Sequence, residues 1–210
     1  MKTMSGKSIM TPTKQISSDV SKRFDRRAAR TSHKLDAAFV DLLHRRSYES
    51  IRVGDITRKA RVGRATFYAH YAGKNDLLWS QLSRIVGPML LSEPQEPSLF
   101  DCTPLFTHVQ SRFQIYRSLE GPAGSRIAKK WLQDRVWELL QTEDPPRLRN
   151  FSIPLSLLVR FVAATLYALI TWWIEEGMQL SAAQMQAIYR EIVGGALRGA
   201  TGGDVHPSRG

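Results

Sequence analysis

The stretch from Val53 to Tyr71 constrains this 210-residue chain more than any other. Two short helical segments, Val53–Ala60 and Arg64–Tyr71, are joined only by Arg61-Val62-Gly63, too short to be anything but a turn. In the first segment Ile56 and Ala60 stand four apart, and in the second Phe67 and Tyr71 do the same. Each helix therefore has one apolar side, and the turn must bring the two sides together. A longer amphipathic segment precedes them. From Thr31 onward Leu35, Ala38, Phe39, Leu42 and Leu43 form one stripe, with Thr31 or Ser32 as N-cap and Arg45-Arg46 suited to the negative end of the helix dipole. Tyr48-Glu49-Ser50-Ile51 is a short link. Two short helices about a tight turn, braced by a longer helix, outline a helix-turn-helix.

Charge says what such a unit meets. The chain carries a formal net charge of +11. Residues 1–76 hold 17 Lys and Arg against 7 Asp and Glu, whereas residues 77–210 hold 13 against 12. A basic first third on a neutral remainder predicts that only the N-terminal part meets a polyanion, nucleic acid or an anionic membrane surface. The second short helix has the features of a DNA reader. Phe67 and Tyr71 turn inward, while Arg64, Ala65, Thr66 and Tyr68 turn away. Arg64 suits a guanine edge, a pairing worth roughly 1–3 kcal/mol of discrimination, and Ala65 and the Thr66 methyl suit thymine methyls. Tyr68, His70 and Lys74 are placed for phosphates, Lys74 at a helix N-terminus.

The run from Asp55 to Leu78, above all Thr66-Phe67-Tyr68-Ala69-His70-Tyr71 followed by Lys74-Asn75-Asp76-Leu77-Leu78, resembles the signature of the tetracycline-repressor (TetR) family. The resemblance covers about residues 31–78. It implies phosphate contacts from Tyr68, His70 and Lys74, approach of Arg64, Ala65 and Thr66 to the bases, and a further phosphate contact near the start of the first short helix. There the chain departs from the family pattern: Arg52 replaces a small hydroxyl cap and could reach a phosphate itself. Arg61 stands where a turn glycine is usual, at a cost of about 1 kcal/mol if its backbone is left-handed. Gly63 replaces a serine cap, a loss of only a few tenths. Arg52, Arg58, Gly63 and Tyr71 complete the set assigned to DNA.

The remainder is helical in pattern. A segment runs from Lys74 to about Leu91, the proline-rich stretch Ser92–Ser98 is a linker, and four further helices are expected over about 103–119, 124–142, 154–177 and 181–198. Strand-like alternation is nowhere sustained. The fold class is all-α: an N-terminal three-helix helix-turn-helix head followed by a larger helical ligand-binding and dimerisation domain. The expected division is a disordered basic arm over 1–30, the head over 31–76, the helical domain over 77–200 and a flexible tail over 201–210.

Within that domain the run from Pro154 to Ile174 is apolar nearly all round. Arg160 interrupts it and leaves 14 uncharged residues before Glu175, short for a bilayer, so a buried helix rather than a membrane span is expected. The last helix carries a second apolar stripe. The resemblance implies that two such helices from each of two subunits form a four-helix interface, and Ala164, Ala168, Trp172, Met185, Ile188 and Ile192 are assigned to it. It also implies a cavity for a small hydrophobic or aromatic effector of unknown identity, lined by Trp79, Phe106, Phe113, Tyr116, Trp131 and Tyr167.

The resulting expectation is a cytoplasmic homodimer on a palindromic DNA operator, released by its effector. The alternatives are a ligand-independent repressor or activator with the same head, or a basic scaffold protein. No metal cluster, glycine-rich phosphate loop or converging nucleophile–base grouping stands out, so no cofactor, metal or catalytic activity is expected. One cysteine, Cys102, fits a reducing compartment, and the N-terminal residues lack an apolar core of signal-peptide length.

Overall fold

The structure, a computed structural model, describes residues 12–90, 100–142 and 153–201. Every regular element among them is helical. In chain order these are α1 (Pro12–Leu43), a 3-10 turn (Tyr48–Ser50), α2 (Val53–Ala60), α3 (Arg64–Tyr68), α4 (Lys74–Gln81), α5 (Thr103–Ser111), α6 (Phe113–Ser118), α7 (Pro122–Thr142), α8 (Leu155–Glu175) and α9 (Ala182–Thr201). The all-α class is as expected, but several boundaries differ.

The segment read as a disordered arm is helical from Pro12 on, so α1 begins well before Thr31. Residues 26–30 of it are exposed, and periodicity marks only the part of a helix that buries something. Helix α4 stops at Gln81 and continues as a π turn over Leu82–Val86 and a 3-10 turn over Gly87–Leu90. Pro88 explains the stop, since it has no N–H to give the preceding turn. The helix expected over 103–119 is broken at Arg112 (φ −123°, ψ 28°), which lets α6 turn toward α1 and α8. Packing outweighs local preference there. The expected tail lies outside the described residues apart from Thr201, the last residue of α9.

Two regions make up one core. In the head, Leu35, Phe39, Tyr48, Ile51, Ile56, Phe67 and Leu77 are buried. In the body, α5 and α8 meet through an edge-to-face pair, Phe106 on Trp173, with ring centroids 5.9 Å apart. Trp173 Nε1 donates to the Leu180 carbonyl at 3.0 Å, which ties α8 to the turn that follows it. That turn holds two left-handed residues, Gly177 and Met178, and the Met178 N–H reaches the Trp173 carbonyl at 2.8 Å. Ser181 and Gln184 then cap α9 reciprocally, each taking a backbone N–H of the other.

By length and hydropathy α8 alone among the described helices would pass for a membrane span. Here it is a core helix on one side, where Leu158, Val159, Val162, Leu166, Trp173 and Ile174 are buried. Its other side is open.

Candidate nucleic-acid interface

Helix α2 begins without a side-chain acceptor on Arg52. The Asp55 carboxylate instead takes the Arg52 backbone N–H at 3.0 Å, half of a capping box. That bond, more than the neighbouring Arg46, Arg58 and Arg52 charges, holds the Asp55 carboxyl below its ordinary value. The helix ends in a Schellman turn: Arg61 N–H reaches the Arg58 carbonyl at 3.2 Å, and Val62 N–H reaches the Thr57 carbonyl at 3.0 Å. Arg61 itself is left-handed (φ 55°, ψ 47°), so the condition for the cost of a missing glycine is met. The chain then enters α3 through Gly63, whose carbonyl accepts the Phe67 N–H at 3.1 Å.

Phe67 is fully buried and pins α3 to the head, and this forces the opposite face outward. Arg64, Ala65, Thr66 and Tyr68 are all exposed, Tyr68 by 57%. The Tyr68 ring stands edge-on to Phe67, centroids 5.4 Å apart. The Arg64 guanidinium folds back over α2, where a Cβ on Gly54 would lie 3.2 Å from its Nη2. Arg52, Arg58 and Gly63 are exposed beside this face, and His70 is half-buried.

Two residues of the expected set stand differently. Tyr71 is 7% exposed, and its hydroxyl donates to Asp36 Oδ1 at 3.0 Å and lies 2.8 Å from Ser32 Oγ. The second short helix, expected to run to Tyr71, ends at Tyr68, and Tyr71 in the turn after it is a core residue tied to α1, so its assignment to DNA is corrected. Burial, ahead of the Asp36 charge, raises its phenol pKa. Lys74 is half-buried. Its ammonium donates to the Tyr48 carbonyl at 2.8 Å and sits 4.1 Å from the Tyr48 ring centroid, leaving two N–H groups of the ammonium for another acceptor. Burial lowers the Lys74 pKa, and the nearby Glu49 charge works against that.

The head's architecture has relatives. Residues 35–79 match the family model described as bacterial regulatory proteins, tetR family. The head belongs to the tetR family. An 84-residue stretch is 42% identical to an uncharacterized HTH-type transcriptional regulator, YxbF, of Bacillus subtilis (strain 168), covering 37% of this chain and 22% of that one. The chain thus spans about a fifth of the length of this curated relative. Among solved structures, a TetR transcriptional regulator from Streptococcus agalactiae 2603V superposes with a TM-score of 0.53 at 22% identity, over 82% of this chain and 98% of the other. A protein described as a TetR-family transcriptional regulator, from Syntrophomonas wolfei str. Goettingen, gives 0.60 at 18% identity, over 84% and 98%. At that identity the likeness is one of fold.

The tetR-family head is fastened to the body at two points that short-range sequence patterns do not mark. Glu49, on the 3-10 turn, accepts the backbone N–H groups of Ala123 (2.8 Å) and Gly124 (3.2 Å) at the start of α7. The second point continues from Tyr71: Arg84 Nη2 donates to Asp36 Oδ2 at 2.8 Å and to Gln81 Oε1 at 3.1 Å. No local signal reveals either, because the partners lie 74 and 48 residues apart.

The aromatic residues assigned to a pocket do not converge. Phe106 is fully buried against Trp173 and is corrected to a core residue, because α5 needs it to seat on α8. Trp79 and Trp131 border a polar cleft with Asp134, Arg135 and Glu138. Phe113 is half-buried with the Arg117 guanidinium 5.9 Å from its centroid. Tyr167 lies on an open groove between α7 and α8, with Lys129 Nζ 4.8 Å above its ring. Of the six, Tyr116 alone lines the apolar cavity of about 200 Å³ between head and body.

Of the expected interface residues, Ala164, Ala168, Trp172 and Ile192 are exposed, and Ile188 is half-buried. Met185 is fully buried within the subunit and is corrected to its core, where α9 packs on α5.

Proposed function

We propose that this chain is a DNA-binding transcriptional regulator that works as a homodimer, most simply a repressor released from a palindromic operator by a small hydrophobic or aromatic molecule. The observation that carries the reading is the outward face of α3. Arg64, Ala65, Thr66 and Tyr68 are exposed together on a short helix fixed by one buried phenylalanine, within a strongly basic segment. On this reading Arg64, Ala65 and Thr66 approach base edges in the major groove. Tyr68, His70 and Lys74 hold phosphates, with Arg52 and Arg58 beside them and Gly63 letting the backbone come close.

Dimerisation is supported by the open side of α8 and α9. Leu157, Trp172 and Ile192 are 53%, 43% and 44% exposed, and with Ala164 and Ala168 they make an apolar face that water does not favour. Two heads held by such a face would meet half-sites about one helical turn apart. The test is a mobility-shift titration on the DNA upstream of the gene, repeated over a salt series. Binding that weakens steeply with salt, and is lost in a Thr66→Ala/Tyr68→Ala double variant, fits the reading. A folded protein that ignores duplex DNA at low ionic strength would end it, and a reporter that falls when the gene is deleted would make the chain an activator.

A further inference from the structure

The cavity between head and body has a composition that names its occupant. Val40 and Leu43 reach it from α1 of the head, and the π turn after α4 supplies Leu82, Ile85 and Val86. A π turn inserts an extra residue into a helix and recurs at functional sites. Four groups on the lining are polar: Gln81, His108, Arg112 and Tyr116. Gln81 is 6% exposed, and its Oε1 is taken by Arg84 Nη2, which leaves the buried Nε2 hydrogens without a partner. A buried donor of that kind is costly unless something accepts from it. His108 stands edge-on to Tyr116, centroids 5.8 Å apart, and burial and then the Arg112 charge lower its pKa. Among the described residues no carboxylate lines this cavity.

We infer that this cavity is the effector site and takes a small apolar carboxylic acid, its hydrocarbon body against α1 and the π turn, its carboxylate accepting from Gln81 Nε2 and facing Arg112. The inference rests on the ligand-released reading above and gives it a site and a ligand class. A dry cavity of roughly 150 Å³ accepts benzene, so about 200 Å³ suits an acid of roughly ten non-hydrogen atoms. The site also has a route outward. The ligand would touch α1 directly, and Gln81 is one hydrogen bond from Arg84, which holds Asp36, which accepts from Tyr71 in the turn after α3.

The experiment is calorimetric titration of the full chain with benzoate, phenylacetate and hexanoate, and with benzyl alcohol as an uncharged counterpart. At least one acid should bind, with the alcohol at least tenfold weaker. Arg112→Gln, at an exposed position that spares the fold, should lower the acid's affinity at least tenfold, and Arg112→Lys should restore most of it. Gln81→Leu should also weaken the acid, with a thermal melt checking its fold. The inference is overturned if no acid binds at millimolar concentration, if the alcohol matches the acid, or if Arg112→Gln leaves affinity unchanged. Mobility shifts separate it from the reading beneath. Acids that bind through Arg112 without releasing DNA keep the site and sink ligand release. Acids that release DNA equally from the wild type and Arg112→Gln keep ligand release and sink the site.

Discussion

Tyr68 and Tyr71 lie three residues apart, and one is 57% exposed while the other is 7% exposed with a bonded hydroxyl. Their variants should separate accordingly. Tyr68→Ala should weaken binding to every duplex several-fold and leave the melting temperature in place. Tyr71→Phe should lower stability by about 1–2 kcal/mol, since it strands the buried Asp36 oxygen, and this is read by urea denaturation. Arg61, left-handed at φ 55°, gives the opposite sign: Arg61→Gly should raise stability by about 0.5–1 kcal/mol. Asp55 fixes an acid limit. Its carboxyl lies below its ordinary value, so the stability it contributes is present above about pH 4 and is lost as pH falls through the lowered value. The loss of urea midpoint between pH 5 and pH 2 should therefore be smaller in Asp55→Asn than in the wild type.

Among elements, those with one strong apolar stripe are legible in the amino-acid sequence. The turn Arg61-Val62-Gly63, the pairs Ile56/Ala60 and Phe67/Tyr71, and the stripe from Leu35 to Leu43 place α2, α3 and the second half of α1, because in each case one face is buried on the others. The first half of α1 reads as an arm because its residues carry no apolar periodicity in the sequence. The break at Arg112 follows from contacts with distant helices, which short-range spacing does not encode. The same limit hides the fastening of α7. Glu49→Ala should free two N–H groups at the α7 start, lower stability by about 1–2 kcal/mol, and loosen the head relative to the body. Hydrogen exchange at Ala123 and Gly124 would report it, and unchanged protection there would exclude the latch.

For the whole molecule, the proposed function divides the labour between the basic head, which would meet a polyanion, and the exposed apolar side of α8 and α9, which would meet a second copy. Trp172→Glu should leave the subunit folded, shift sedimentation to the monomer and weaken binding to a two-half-site duplex far more than to a single half-site. A monomeric wild type at micromolar concentration would exclude that flank as an interface. The junction between head and body carries one more constraint. A Cβ at Gly121 would lie 2.5 Å from Glu49 Oε1 and 2.6 Å from its Cγ, so a side chain there would displace Glu49 from its present path to α7. The grip of the head on the body thus depends on what is missing at position 121: Gly121→Ala should turn the Glu49 side chain away from the start of α7 and loosen the junction as Glu49→Ala does.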